Sequence, residues 1–127
     1  MTDAAGIAAL SEAVQRYFDL HYDSDLTRFS SVFCPTAQLH GLRDGRLAVL
    51  SARGYRDLMA SRPSPRSQNA PRQDEILLVD FASLCQALVK LRLRVNATVY
   101  VDYLTYHRVE GTWLVTGKGF HVETTAA

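Results

Sequence analysis

Tyr17, His107 and Lys118 are the side chains whose chemistry stands out against their neighbours. Lys118 sits in Thr116-Gly117-Lys118-Gly119-Phe120, a stretch of strand character. Should its side chain point inward, the ammonium needs a partner or must lose its charge, and either outcome suits holding an anionic group or activating a base. The plain counterpart is a stem that snorkels to the surface. Tyr17 lies on the apolar stripe of a helix and can donate a hydrogen bond to a ligand oxygen, although an aromatic there also serves as core with its hydroxyl reaching water or backbone. His107 titrates near neutrality, which makes it the best available acid or base; a structural histidine is the competing role. Asp102 is read as the outward partner of a strand arginine or of an interface, and only a register shift brings it inside. His21 and His40 lie next to inward positions and are expected to face solvent or a partner. The four histidines show no metal-ligand spacing, so neither a metal site nor a cofactor is expected.

Two groups of basic residues need placing. Lys90, Arg92 and Arg94 alternate opposite Leu91, Leu93 and Val95. With Asn96-Ala97 as a two-residue turn, residues 94 and 99 pair and the basic stripe shares the face of Tyr103 and Thr105, lining a cavity; a longer turn or a bulge makes it an exterior, salt-bridged face. Both arrangements stay open. Arg53, Arg56, Arg62, Arg66 and Arg72 gather around a short helix and the loop after it, either as a patch near a pocket rim or as a solvated surface. Aromatics do not interleave with them as single-stranded nucleic acid binding wants. Fourteen Lys plus Arg against thirteen Asp plus Glu leave a net charge of +1, which supplies no broad attraction for nucleic acid or an anionic membrane.

The elements that must position these groups fit one domain spanning 1–127. The chain has 127 residues, 47% hydrophobic and 21% charged, ordinary globular composition with enough length for one sizeable core. There is no secretory signal and no apolar stretch able to span a bilayer, so a soluble cytoplasmic protein is expected. Cys34 and Cys85 are expected as reduced thiols. Asn96-Ala97-Thr98 formally matches a glycosylation acceptor but lacks the secretory context that would give it meaning.

Ile7, Leu10, Val14, Tyr17, Phe18 and His21 recur at steps of three and four, predicting a buried face on a helix from about Asp3 to Tyr22. Asp23-Ser24-Asp25 offers caps for a second helix carrying Leu26, Phe29, Val32 and Phe33, stopped by Pro35. Arg43-Asp44-Gly45-Arg46 between apolar runs predicts a hairpin. Ser51 caps a third, short helix that buries Tyr55, Leu58 and Met59 and ends by Arg62, before Pro63. An exposed, mobile loop runs to Arg72. Four strands follow: Glu75 to Phe81, Leu84 to Val95, Thr98 to Glu110 and Trp113 to Glu123. Helices first and strands afterwards argue for α+β.

This order resembles the nuclear transport factor 2-like superfamily, and within it the SnoaL-like group named for lumazine binding. Carrying the resemblance are Asp25-Leu26 with Phe33-Cys34-Pro35-Thr36-Ala37-Gln38-Leu39-His40-Gly41, then Asp102-Tyr103-Leu104-Thr105 with Glu110-Gly111-Thr112-Trp113 and Lys118-Gly119-Phe120-His121. It implies a cone-shaped, curved antiparallel sheet with three N-terminal helices, a cystatin-like roll around a small-molecule pocket. Against the ketosteroid isomerases of that superfamily, Tyr17 falls on the oxyanion-hole tyrosine, the general base falls on Gly41 and the protonated aspartate on Thr105, so their mechanism cannot run on the same residues. The comparison places Thr105 inside, and with it Tyr103 and His107, while Thr116, Lys118 and Phe120 line the last strand and Trp113 and His121 face out. Tyr17, Leu39, Tyr103, Thr105, His107, Lys118 and Phe120 are then the expected pocket. The function implied is binding of a largely apolar small molecule with a polar or anionic end, enzymatic in the manner of an isomerase or dehydratase or not enzymatic at all. The alternative is a homodimeric assembly module joined through Tyr100, Leu104, Tyr106 and Trp113 on the outer sheet face.

Overall fold

The structure, a computed structural model, describes residues 4–125, so the expected helix start at Asp3 falls outside it. Helix α1, Ala4–Asp23, buries Leu10, Ala13, Val14, Tyr17, Phe18, Leu20 and His21 on the stripe that its periodicity dictates. The expected second helix is instead a six-residue 3-10 segment, Leu26–Ser31, capped by Asp25, whose carboxylate accepts from the Thr27 N–H at 3.2 Å. Phe33 already belongs to strand β1, Phe33–Arg43. Pro35 therefore stops no helix. It lies where the pairing of β1 with the last strand breaks, between Phe33 and Gln38, and a residue with no N–H is tolerated there.

Strand β2, Arg46–Ser51, returns through Asp44 and Gly45, whose positive φ values of 51° and 76° are those of a type I′ turn. Helix α2, Ala52–Ser61, follows directly, with the Ser51 hydroxyl accepting from the Gly54 N–H at 3.0 Å. The three expected N-terminal helices are thus two α-helices and a 3-10 turn, with a hairpin between them. Residues 63–72 are tied down at several points: Tyr22 donates to the Ala70 carbonyl at 2.8 Å, Arg66 meets Asp23 at 2.7 Å and Arg72 meets Asp19 at 2.6 Å.

Strands β3 (Asp74–Ser83), β4 (Gln86–Val95), β5 (Thr98–Val109) and β6 (Thr112–Thr125) complete a curved six-stranded sheet of order β2-β1-β6-β5-β4-β3. All neighbours are antiparallel except β1 and β6, which run parallel, so the expected all-antiparallel sheet is corrected at its centre. The helices cover one face. On that face lie Leu91, Leu93 and Val95 of β4 opposite Asp102, Tyr100 and Thr98 of β5, with Leu104 and Tyr106 continuing the row.

The register settles which face the alternating residues of β5 occupy. Arg94 pairs with Val99 and Val95 with Thr98, as a two-residue turn requires, and Lys90, Arg92 and Arg94 do share the face of Tyr103 and Thr105. That face, however, is the one away from the helices. Tyr103 is 45% exposed with Lys90 5.4 Å above its ring, and Arg92 meets Glu123 at 2.8 Å. The expectation of Tyr103, Thr105 and His107 inside is therefore corrected, as is that of Asp102 outside. The bulge in β6 explains how the last strand still carries Lys118 inward: Thr105 pairs with Gly117 but Tyr106 with Val115, leaving Thr116 as an extra residue. Trp113 and Val115 before it, and Lys118 and Phe120 after it, all reach the helix side, while Thr116 turns outward.

Leu104, Tyr106 and Trp113, expected on an exposed dimer face, are core residues with at most 2% exposure. The exposed apolar surface lies elsewhere, in Ile76, Leu77, Leu78 and Val79 of the edge strand β3, between 38% and 50% exposed. Ile7, expected inward, is 49% exposed and borders an open trough between α1 and that strand. Cys34 and Cys85 are free thiols. Among the described residues, no helix is long and apolar enough to cross a membrane.

Candidate functional site

Five side chains from four elements meet under the sheet. Tyr17 and His21, one turn apart on α1, project from the same stripe. Tyr55 comes from the first turns of α2, whose start Ser51 fixes. Asp102 sits mid-strand on β5, and Lys118 lies diagonally across from it on β6, since Leu104 pairs with Lys118 and Asp102 with Phe120. His21, Asp102 and Lys118 are the only buried polar or charged residues among those described.

The polarity of their hydrogen bonds can be derived. Tyr17 Oη donates to Asp102 Oδ2 at 2.6 Å. His21 Nδ1 lies 2.7 Å from the Tyr17 backbone carbonyl, which can only accept, so Nδ1 carries a proton. Burial, with Lys118 nearby, holds the His21 pKa well below the usual histidine value, so the ring is neutral and Nε2 is an acceptor. Tyr55 Oη, 2.7 Å from Nε2, therefore donates to it and in turn accepts from Lys118 Nζ at 3.2 Å. The sequence Lys118, Tyr55, His21 is one directed chain of donors ending on the helix backbone.

Lys118 Nζ also lies 3.6 Å from Asp102 Oδ2, and 5.3 and 4.5 Å from the ring centres of Tyr17 and Tyr55. Desolvation opposes its charge, but the attraction of Asp102 and the Tyr55 hydroxyl outweigh it and its pKa is raised. Burial, then Asp102, push the Tyr17 hydroxyl well above the ordinary tyrosine value, so it stays a donor. One polar atom is left over: Asp102 Oδ1 is buried without a hydrogen-bond partner. Such an orphan costs about 1–3 kcal/mol, and more when charged.

Asp102, Lys118, Tyr55 and His21 form the floor of a cavity walled by Leu50, Leu58, Leu93, Val95, Tyr100 and Phe120, with Arg43 and Arg62 also lining it. With the side chains as they stand the cavity is small, about 20 Å³. That is room for about one water. An organic ligand requires side chains at the mouth to move. Phe120 is the closest plug: a Cβ on Gly41 would lie 2.3 Å from its ring, so the ring fills the space that glycine leaves. An aspartate at position 41, where the isomerase base falls, does not fit beside the ring as it stands.

Of the expected pocket residues, Phe120 and Lys118 line this cavity and Tyr17 bonds the carboxylate at its floor. Leu39 is fully buried core. Tyr103 and Thr105 line an open groove on the opposite face. His107, the expected acid or base, is held on that face too, its Nδ1 2.5 Å from Thr116 Oγ1; it has no access to the cavity. Asp102, His21 and Tyr55 were missed as site residues. A signal existed for two of them, since His21 and Tyr55 stand in the apolar stripes of their helices; Asp102 had none, because the alternate row of β5, with Val99, Val101 and Val109, is the more apolar one. Among the described residues no three His, Cys, Asp or Glu gather to hold a metal.

The fold and this buried cluster can be set beside known proteins. No curated protein matches the chain at a significant level. Among solved structures, an NTF-2 like protein of unknown function from Silicibacter pomeroyi is 20% identical with a TM-score of 0.85, over 97% of this chain and 100% of that one. A ntf2-like protein of unknown function from Shewanella baltica is also 20% identical at TM-score 0.85, over 98% and 99%. A ketosteroid isomerase-like protein from Erwinia carotovora atroseptica is 15% identical at TM-score 0.73, over 96% and 99%. These likenesses establish a nuclear transport factor 2-like fold. The family model described as "Putative lumazine-binding" matches residues 5–121, nearly the whole chain, and the chain belongs to that family.

Proposed function

We propose that the chain binds a small, largely apolar molecule in the cavity above Asp102 and Lys118, with the polar end of the ligand anchored by that pair. The observation that carries this reading is the orphaned Oδ1 of Asp102, a buried acceptor beside a cavity that Leu50, Leu58, Leu93, Val95 and Phe120 line. A ligand that donates to Oδ1 removes the cost of leaving it bare. Family membership supports the same reading. The pair also has the chemistry for a proton-transfer step of the isomerase or dehydratase kind, with Asp102 as acceptor and the Lys118 ammonium stabilising a developing negative oxygen.

Thermal-shift screening of aromatic and carboxylate compounds tests it. A ligand present at a hundred times its Kd should stabilise the wild type by about 2.7 kcal/mol, and a folded Lys118→Met variant should lose that response. A broad library with no effect on the wild type would remove the binding role.

A second reading keeps the homodimer but moves its surface. The apolar run Ile76–Val79 on edge strand β3 is long and exposed, and an uncovered edge of this kind is a template for pairing with a second copy. Light scattering on size-exclusion peaks at micromolar concentration decides it, and a monomer would dismiss the reading.

A further inference from the structure

The charges around the cavity do not balance. Inside, Asp102 and Lys118 offset one another and His21 is neutral. Arg43 and Arg62 also line the cavity, yet neither takes part in an ion pair among the described residues. Arg28, Arg66, Arg72 and Arg92 each lie against an Asp or Glu, and of the arginines without such a partner only Arg43 and Arg62, among the described residues, line the cavity. The guanidiniums of Arg43 and Arg62 rest instead over aromatic rings that also line the cavity, Phe120 at 5.7 Å and Tyr55 at 6.0 Å. Stacked this way, each keeps its fork of N–H donors free for a planar oxyanion. The floor makes the opposite demand, because Oδ1 of Asp102 can only accept.

Resting on the reading of this cavity as a ligand site, we infer that its ligand class is an amphipathic carboxylate bearing a hydrogen-bond donor at its far end. The carboxylate sits with Arg43 and Arg62. An apolar, flat body lies against Leu58 and Leu93, taking space that Phe120 vacates by swinging outward. A hydroxyl or N–H donates to Asp102 Oδ1. Net positive charge then comes from the two arginines alone, so the preference for an anion is local and owes nothing to the overall charge of +1.

Isothermal calorimetry with three matched probes tests the assignment on the full chain: 4-hydroxybenzoate, 4-hydroxybenzyl alcohol, which keeps the donor but lacks the charge, and benzoate, which keeps the charge but lacks the donor. The hydroxybenzoate should bind at least about tenfold more tightly than either relative. Arg43→Gln and Arg62→Gln should abolish its advantage over the neutral alcohol without weakening the alcohol itself. Equal affinity for acid and alcohol, or arginine variants that bind the acid like the wild type, would overturn the carboxylate assignment while leaving the cavity reading intact, provided Lys118→Met still weakens the alcohol. Binding of the acid that Lys118→Met leaves unchanged would mark an exterior arginine site and overturn it as well. Failure of all three probes to bind would overturn this inference, whereas the cavity reading falls only with the broad library.

Discussion

At the scale of single residues the molecule turns on a buried ion pair that the fold does not need for its apolar core. Removing two charges from water costs several kcal/mol per ion, and the attraction at 3.6 Å, with the hydrogen bonds from Tyr17 and to Tyr55, offsets that only while both partners are present. Deleting one should therefore hurt more than deleting both. Lys118→Met should cost about 3–5 kcal/mol because it strands the Asp102 charge. Adding Asp102→Asn, which keeps an oxygen for the Tyr17 hydroxyl, should return a measurable part of that loss, with a coupling of about 0.5–3 kcal/mol in a urea-denaturation cycle. Strictly additive effects would mean that the two side chains do not act as a pair. The sequence advertised Lys118 through its type and place. It did not advertise Asp102, because a lone carboxylate in a strand of alternating character is far more often a surface residue, and only its three-dimensional neighbours reveal otherwise.

At the scale of elements, legibility followed local rules and stopped where pairing takes over. The α1 stripe, the Ser51 cap and the Asp44-Gly45 turn were readable because each is set by a few consecutive residues. The 3-10 segment has the sequence pattern of a helix: Asp25 caps it as expected, but Phe33 is drawn into the sheet beside Val115, and a strand pairing of that kind leaves no mark on the local pattern. The bulge at Thr116 was unreadable for the same reason, and it decides which side chains of β6 face the helices. The β5–β6 turn offers a test of how far local chemistry controls this register. Glu110 holds φ 49° at the first central position of a type I′ turn, followed by Gly111 at φ 83°. A glutamate there is strained, whereas asparagine favours that conformation. Glu110→Asn should stabilise the protein by up to about 1–2 kcal/mol in equilibrium unfolding, the scale of the left-handed penalty, without shifting the Asp102–Phe120 pairing. No gain, or a loss, would show that the sheet rather than the turn sets the register.

The whole molecule carries its pH response in the same cluster that floors the cavity. His21 is packed between Tyr17, Phe33 and Tyr55, with Lys118 and Arg62 adding positive charge, and only the Tyr17 carbonyl favours its protonated form. Its folded pKa lies well below its unfolded value of about 6.5. Above that pH both states are neutral and the full contribution is present. As pH falls below about 6.5 the unfolded chain takes up a proton that the folded one refuses, so stability drops by up to about 1.4 kcal/mol per pH unit until the folded pKa is reached. The carboxylates lowered by their arginines, Asp23 and Glu123, begin to act only nearer pH 4, which separates the two regimes. Urea unfolding of the wild type between pH 7.5 and 5 should therefore show a decline that flattens in His21→Gln, a variant that keeps hydrogen-bonding capacity but cannot titrate. A wild-type profile level across that window would mean that His21 protonates freely in the folded state, and Tyr55 would then accept from both His21 and Lys118 instead of donating to the ring.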